Sequence, residues 1–291
     1  MANSNGNAAG TLYVVATPIG NADDISLRAR RVLAEVDIVA AEDTRRTGRL
    51  LDMLGIRAEL LSCHEHNEAK RVPEILQRLQ SGGDVALVSD AGTPLVSDPG
   101  FRLVTAAIAA GLAVSPVPGC SAAMAALSVA GLPTDRVLFA GFLPASGSKR
   151  RARLAELATL PETIVLFESV HRIEAMLEDT CAKMGSDRPA VAARELTKLH
   201  ETIYRGSVAD VLKQVQADAG GRKGEYTLVL AGAPPVTDDA ADSELDRVLT
   251  VLLGHLGVRQ SAEIAVRLLA VNKRQAYQRA LQLRESSDDS F

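Results

Sequence analysis

Tryptophan is absent from this sequence, and aromatic residues fill only 3% of its 291 positions. A sheet that reads RNA by stacking bases on rows of aromatic side chains is therefore not expected. Cysteine is nearly as scarce. Cys63, Cys120 and Cys181 lie far apart and give neither a disulfide framework nor a CxxC metal site. No apolar run reaches the roughly 18 residues a membrane-spanning helix needs. The opening MANSNGNAAG has no basic region and no apolar stretch, so residues 1–10 read as a short disordered tail rather than a secretory signal. These absences point to a soluble protein of a reducing cytoplasm. Chemistry is narrowed as well. There is no GxxxxGK followed by Ser or Thr, no GxGxxG after the first strand and no GxSxG. A P-loop, a dinucleotide cradle and the common hydrolase elbow are thus not expected.

What is present is an ordinary folding composition, with 47% hydrophobic and 23% charged residues and a net charge of -4. At about 150 residues per domain the length suggests two domains. Charge is unevenly placed. Arg28, Arg30, Arg31, Arg45, Arg46 and Arg49 gather early, and Lys149, Arg150, Arg151 and Arg153 form one run. Each cluster has two readings, a grip on phosphates or a solvated helix face.

The first half alternates short apolar runs with helical periodicity: strands at 12–16, 37–41, 60–61, 85–88 and 113–116, helices at 26–36, 45–54, 70–80 and 101–110. Ser26 is placed to cap its helix, and Gly82-Gly83 to stop another. That alternation implies a largely parallel α/β sheet. A second α/β unit follows, with strands at 137–142, 163–167, 190–194, 202–206 and 226–231 and helices at 148–160, 171–184 and 207–215. The third and fourth of these strands have no room for a helix between them and are expected to form an antiparallel hairpin. Residues 234–242, PPVTDDAAD, read as a linker. Beyond it the chain is helical, and 262–281 has the helix, three-residue turn, helix spacing of a helix-turn-helix, with Lys273, Arg274 and Arg279 on the second helix. A nucleic-acid contact, a helical cap and a dimer contact all fit that pattern.

The densest motif is Ser89 to Gly100, SDAGTPLVSDPG, between a strand and a helix and so at the carboxyl edge of the sheet, where open α/β folds bind ligands. Its glycines let backbone approach a ligand and its prolines fix the path. A second Gly/Pro turn, PGCSA at 118–122, follows the next strand, and two such loops on one edge read as a pocket wall. His64 and His66 of CHEHN read as a turn, because no third ligand is spaced to complete a metal site.

TPIGN (17–21), SDAGTPLVSDPG and PVPGCSA together resemble the motif series of the tetrapyrrole methylase family, the class III S-adenosylmethionine methyltransferases. More narrowly, AEDTRRTGRLL (41–51), HEHN (64–67), LFESVHRI (166–173), RELTKLHETIYRG (194–206) and KGEYTLVL (223–230) are similar to that family's small-subunit ribosomal RNA methyltransferases. The resemblance runs unbroken over about 11–233. It implies two α/β domains, 11–118 and 119–233, with a cleft between them, a helical extension over 243–284, and a homodimer. It also implies S-adenosylmethionine as cofactor and the ribose 2'-hydroxyl of cytidine 1402 in the 16S rRNA of the small subunit as target. By motif position the cofactor contacts would be Ile19, Ala91, Gly92, Thr93, Val96, Ser121, Ala122, Glu168 and Leu196, with no metal. Two departures stand out: TPIGN replaces a glycine-rich first turn, and Gly92-Thr93-Pro94 replaces GDP. Both suit a cofactor without phosphates and fit the RNA-modifying members better than the porphyrin-modifying ones.

For the chemistry, Glu42, Asp43 and Arg45 of EDTR follow the second strand and are expected beside the cleft. A carboxylate there can accept the hydroxyl proton while Arg45 forks a phosphate; the competing reading is a structural ion pair between Glu42 and Arg45. Arg45, Arg46, Lys149, Arg150 and Arg151 are the expected RNA contacts. Two other functions stay open: methylation of a tetrapyrrole or other small molecule, and RNA binding as an assembly factor without turnover.

Overall fold

The computed structural model describes residues 9–221, 223–234, 238–269 and 271–288. Five strands, β1 (Thr11–Val15), β2 (Ile38–Ala41), β3 (Leu60–Ser62), β4 (Val85–Val88) and β5 (Ala113–Val117), form an all-parallel sheet in the order β3-β2-β4-β1-β5. Every residue of β2 and β4 is buried, which is why these segments read as unbroken apolar runs rather than alternating ones. Helices α1 (Leu27–Glu35) and α2 (Thr44–Leu54) cover one face, where Ala29, Leu33 and Leu51 meet Val15, Val39, Ala86 and Val88. Helices α3 (Glu68–Gln80) and α4 (Phe101–Ala109) cover the other, where Ile75, Leu79, Leu103 and Ala107 meet Leu12, Ala40, Val85 and Leu87.

The helix ends follow local chemistry. Ser26 accepts from the Ala29 amide at 3.0 Å and starts α1, and Gly55, at φ 69°, ends α2 in the left-handed conformation. Gly100 precedes α4 and has no side chain to cap it, so the buried Glu68 does so instead, accepting from the Leu103 amide at 3.1 Å. The tail expected at 1–10 falls mostly on residues 1–8, outside the described residues; Gly10 donates its amide to Leu79 at 2.8 Å.

The second sheet is preceded by α5 (Ala122–Ala130), a helix the sequence did not announce. Its run AAMAALSVA is small and apolar on every side, so it carries no 3.6-residue alternation to detect. Strands β6 (Val137–Phe142), β7 (Thr163–Ser169), β8 (Pro189–Arg194), β9 (Thr202–Ser207) and β10 (Glu225–Leu230) then form a mixed sheet ordered β6-β7-β10-β8-β9. Only β6 and β7 are parallel; β8 and β9 pair antiparallel, as the short spacing between them requires. Helices α6 (Gly147–Leu157), α7 (Ile173–Met184) and α8 (Val208–Ala217) cover one face and α5 the other. Both sheets belong to one compact unit ending at Ala233.

The basic run in α6 divides by burial. Lys149, Arg151 and Arg153 are exposed, but the Arg150 side chain is 8% exposed and holds Asp179 of α7, with Nε at 2.7 Å and Nη2 at 2.6 Å from Oδ2. Arg150 is therefore a structural ion pair between two helices, and the expectation that it contacts RNA is corrected.

A second unit begins at Pro234. It comprises α9 (Asp238–Leu253), α10 (Val258–Leu269) and α11 (Lys273–Asp288). Leu245, Leu249, Ala262, Ala265, Ala276 and Ala280 form its core, the alanines letting the helices approach closely. The expected linker 234–242 is shorter than supposed, because the helix begins at Asp238; residues 235–237 lie outside the described residues. The two helices expected within 262–281 are α10 and α11. Arg279 forks Asp246 of α9 at 2.5 and 2.6 Å, with its side chain part exposed. No helix among the described residues is long and apolar enough to cross a membrane.

Removing one partner of a buried ion pair strands the other charge. Arg150→Ala is expected to lower stability by about 3 kcal/mol in urea denaturation, and Lys149→Ala by less than about 0.5 kcal/mol. Equal small effects would show that the pair contributes nothing.

Candidate active site

In a parallel sheet every strand delivers its loop to the same edge, and here the loops after β1, β4 and β5 are stitched together there. Thr17 and Gly92 exchange backbone hydrogen bonds at 2.9 and 3.0 Å, and the Thr93 hydroxyl donates to the Cys120 carbonyl at 3.0 Å. Gly92 has φ 83°, a left-handed conformation that strains any residue with a side chain. Leu95 and Ser97, at φ 72° and 68°, are held in the same left-handed region, a strain of about 1 kcal/mol or more each.

The second sheet closes this edge into a cavity of about 340 Å³. The loop between β8 and β9 lies on the TPIGN turn. A Cβ on Gly20 would sit 2.4 Å from Lys198 Cγ and 3.0 Å from the Leu196 carbonyl oxygen, and the Asn21 amide donates to Thr197 Oγ1 at 3.1 Å. Glu195 and Thr197 take left-handed backbone, φ 51° and 65°, to make that approach. Glu195 Oε1 anchors the loop, accepting from Lys198 Nζ at 2.8 Å and from the Glu225 amide at 3.1 Å.

Ile19, Ala91, Gly92, Thr93, Val96, Ser121, Ala122, Glu168 and Leu196, carried forward from scattered motifs, all line this one cavity. Ser121 also caps α5, accepting from the Met124 amide. Of the three residues expected to do chemistry, only Glu42 is on the wall. Asp43 caps α2 and is forked by Arg45, with Nε 3.0 Å from Oδ1 and Nη2 2.8 Å from Oδ2, and that contact holds the Asp43 carboxyl well below the usual carboxylate range. The structural ion pair of the EDTR motif is thus Asp43–Arg45, not Glu42–Arg45. Neither residue lines the cavity. Arg46 does, paired with Asp90 at 3.1 Å, while Arg45 and Arg49 are exposed on the same helix. Lys149 and Arg151 are exposed on α6 and are not on the wall.

The wall is acidic: Glu42, Asp90, Asp98, Glu168, Glu195 and Glu225 face Arg46 and Lys198. Glu168 is buried, with Oε1 accepting from the Ser169 amide at 2.7 Å; Oε2 lies 3.1 Å from Arg172 Nη2 without a formed hydrogen bond, so it keeps open acceptor capacity. Burial pushes Glu42 up, against the Asp90 amide it accepts. Burial pushes Asp98 up to about 6, opposed by a Ser89 hydrogen bond and reinforced by the charges of Glu42 and Asp90.

Sequence reasoning missed Asp98, Lys198, Phe142 and Phe167. Asp98 lay in a motif already singled out, but its place on the wall depends on the left-handed residues Leu95 and Ser97 beside it. Phe142 and Phe167 are separate in sequence and meet edge to face, ring centres 5.6 Å apart; Phe142 remains 58% exposed on the cavity wall. Among the described residues no group of three His, Cys, Asp or Glu side chains is arranged to hold a metal, and His64 and His66 occupy a turn before α3.

Residues 11–212 match the family model of the Tetrapyrrole (Corrin/Porphyrin) Methylases, and residues 239–284 the model described as the RsmI C-terminal HTH domain. The chain is 49% identical to the ribosomal RNA small subunit methyltransferase I of Pseudomonas aeruginosa, over 94% of this chain and 98% of that one. It is 45% identical to the protein of that name from Escherichia coli O157:H7, over 95% and 96%. Among solved structures it is similar in fold to the methyltransferase CobJ, with TM-score 0.58 and 20% identity over 77% of this chain and 95% of that one. It also resembles the uroporphyrin-III-C-methyltransferase from Thermus thermophilus, with TM-score 0.53 and 22% identity over 76% and 94%.

Gly20 lets the two halves of the wall meet, so Gly20→Ala is expected to cost about 1–3 kcal/mol in thermal or urea denaturation. Gly48→Ala in α2, where an added Cβ reaches only Leu60 Cδ1 at 3.6 Å, is expected to be neutral or stabilising by up to about 1 kcal/mol. The reverse order would show that the loop does not depend on Gly20.

Proposed function

The chain belongs to the tetrapyrrole methylase family, among its ribosomal RNA small subunit methyltransferase I members, and from that premise we propose the following reaction. The protein transfers a methyl group from S-adenosylmethionine to the ribose 2'-hydroxyl of cytidine 1402 in the 16S rRNA of the small subunit, in the cytoplasm. The observation that carries this reading is the convergence of the motif loops of both sheets on one acidic cavity.

The residues present fit the cofactor. A wall with six carboxyls and two cationic side chains favours a positively charged sulfonium, and Glu168 Oε2 offers an acceptor with no hydrogen bond of its own. Ala91, Gly92, Thr93, Ser121 and Ala122 would hold the cofactor through backbone and hydroxyl groups, with Ile19, Val96 and Leu196 supplying apolar contact. When bound, S-adenosylmethionine supplies an electrophilic methyl group on sulfur.

The same charge balance restricts how RNA approaches. Phosphates are repelled by the wall, so they stay outside, where Arg45 and Arg49 project from α2 beside Arg46. Only a single nucleoside, turned out of its strand, enters. The exposed ring of Phe142 gives its base a stacking face. Lys149 and Arg151 form a second phosphate contact. The working unit is a homodimer, for which Phe101 and Ile108, both exposed and two turns apart on α4, offer an apolar face.

Labelled cofactor incubated with small subunits lacking the modification is expected to yield 2'-O-methylcytidine, with naked rRNA and uroporphyrinogen as parallel substrates. Label entering only the porphyrin, or no transfer despite cofactor binding, overturns the reading. Replacing Arg45 and Arg49 by Ala is expected to weaken RNA binding and to lower its salt slope by about one for each phosphate no longer neutralised. Lys149→Ala with Arg151→Ala is expected to act likewise. An unchanged slope would remove that pair from the interface.

A further inference from the structure

A ribose hydroxyl is a weak nucleophile, and its attack is helped by a group that takes the proton as the new bond forms. Six carboxyls face the cavity, and five of them accept a backbone amide or pair with a cation. Asp90 accepts from the Asp43 amide at 3.0 Å and pairs with Arg46 at 3.1 Å. Glu168 is held by the Ser169 amide and paired with Arg172. Glu195 and Glu225 share Lys198, at 2.8 and 3.1 Å. Glu42 accepts from the Asp90 amide at 3.3 Å and lies in the field of Arg46. Among the described residues Asp98 has the Ser89 hydroxyl and neither a backbone amide nor an ion pair.

The backbone around Asp98 is pinned rather than loose. Leu95, Ser97 and Gly100 all have positive φ. A Cβ on Gly141 of β6 would meet Ser97 Oγ at 3.0 Å, and one on Gly100 would meet Leu87 Cδ2 at 2.7 Å, so the second sheet presses on one side of the loop and the first sheet on the other. Strain of this kind persists where surrounding structure fixes it, and it gathers at functional positions.

Resting on the function proposed above, we propose that Asp98 is the group that accepts the proton of the substrate hydroxyl. As the hydroxyl oxygen bonds the methyl carbon, the carbon–sulfur bond breaks and leaves its electron pair on sulfur. The O–H bond breaks in the same step, and the proton passes to an Asp98 carboxylate oxygen and then to water. The groups that set the proton affinity of Asp98 are Glu42 after β2, Asp90 and Ser89 on its own loop, and Arg46 of α2 through its pair with Asp90. Burial first, and then the charges of Glu42 and Asp90, place that affinity near 6, so the carboxyl is ionised at neutral pH and still basic. Asp98 therefore works above that pH and is silenced by protonation below it.

The test combines a titration without cofactor and single-turnover transfer with it. In the cofactor-free protein, carboxyl carbon NMR is expected to show one aspartate titrating near pH 6 that is missing from Asp98→Asn. Wild-type single-turnover rates are expected to climb about tenfold per pH unit below that value and to level off above it. Asp98→Asn is expected to lower the plateau at least about 100-fold and to erase the inflection, with cofactor affinity by calorimetry within about threefold. Glu42→Gln is expected to move the wild-type inflection to lower pH, because it removes a neighbouring negative charge. Should Asp98→Asn fail to fold, Asp98→Glu keeps the charge one methylene out of place and is expected to lose at least about tenfold. Transfer by either variant at the wild-type rate, or an inflection that survives Asp98→Asn, overturns the assignment while leaving the methyltransferase reading intact. A wild-type protein that binds cofactor and methylates no RNA overturns that reading, and the role of Asp98 with it.

Discussion

Gly20 has no side chain, and the loop between β8 and β9 occupies the space one would need. Much else in the site depends on that contact. The cofactor motifs of the first sheet form only one wall; the second wall is brought up by Leu196 and Lys198, which reach the first turn over this glycine. The cost is local, two non-glycine residues in left-handed backbone at Glu195 and Thr197, and the Glu195–Lys198–Glu225 pairings offset it.

Charge is divided between inside and rim. A wall richer in carboxyls than in cations suits a sulfonium and repels phosphate, whereas α2 carries its exposed arginines just beside that wall. One helix thus serves both: Arg46 neutralises Asp90 on the wall, Arg45 locks the Asp43 cap, and the exposed faces of these guanidiniums look outward. The net charge of -4 hides this arrangement, because a whole-chain sum cannot register where each charge sits.

Local chemistry was readable where one residue decides one feature. Ser26 starts a helix, the apolar runs at β2 and β4 are strands buried on both faces, and the short spacing between β8 and β9 requires a hairpin. The motif loops were likewise legible as loops on one sheet edge, since a strand followed by a helix sends its connection there. The failures share a cause. The α5 run is apolar all round and has no period, and Arg150 looks like its exposed neighbours until α7 places Asp179 against it.

The sequence by itself determined the alternation of strands and helices, the family and the loops that build the site, because these follow from periodicity, turn residues and ordered motifs within short stretches of chain. Only the tertiary structure decided which side chains act together. Glu42 but not Asp43 reaches the wall, Asp98 is turned inward without a cation, and Phe142 meets Phe167 at the cavity. Those outcomes depend on elements many residues apart pressing on one another, and on the solvent their contact removes, which no local pattern encodes.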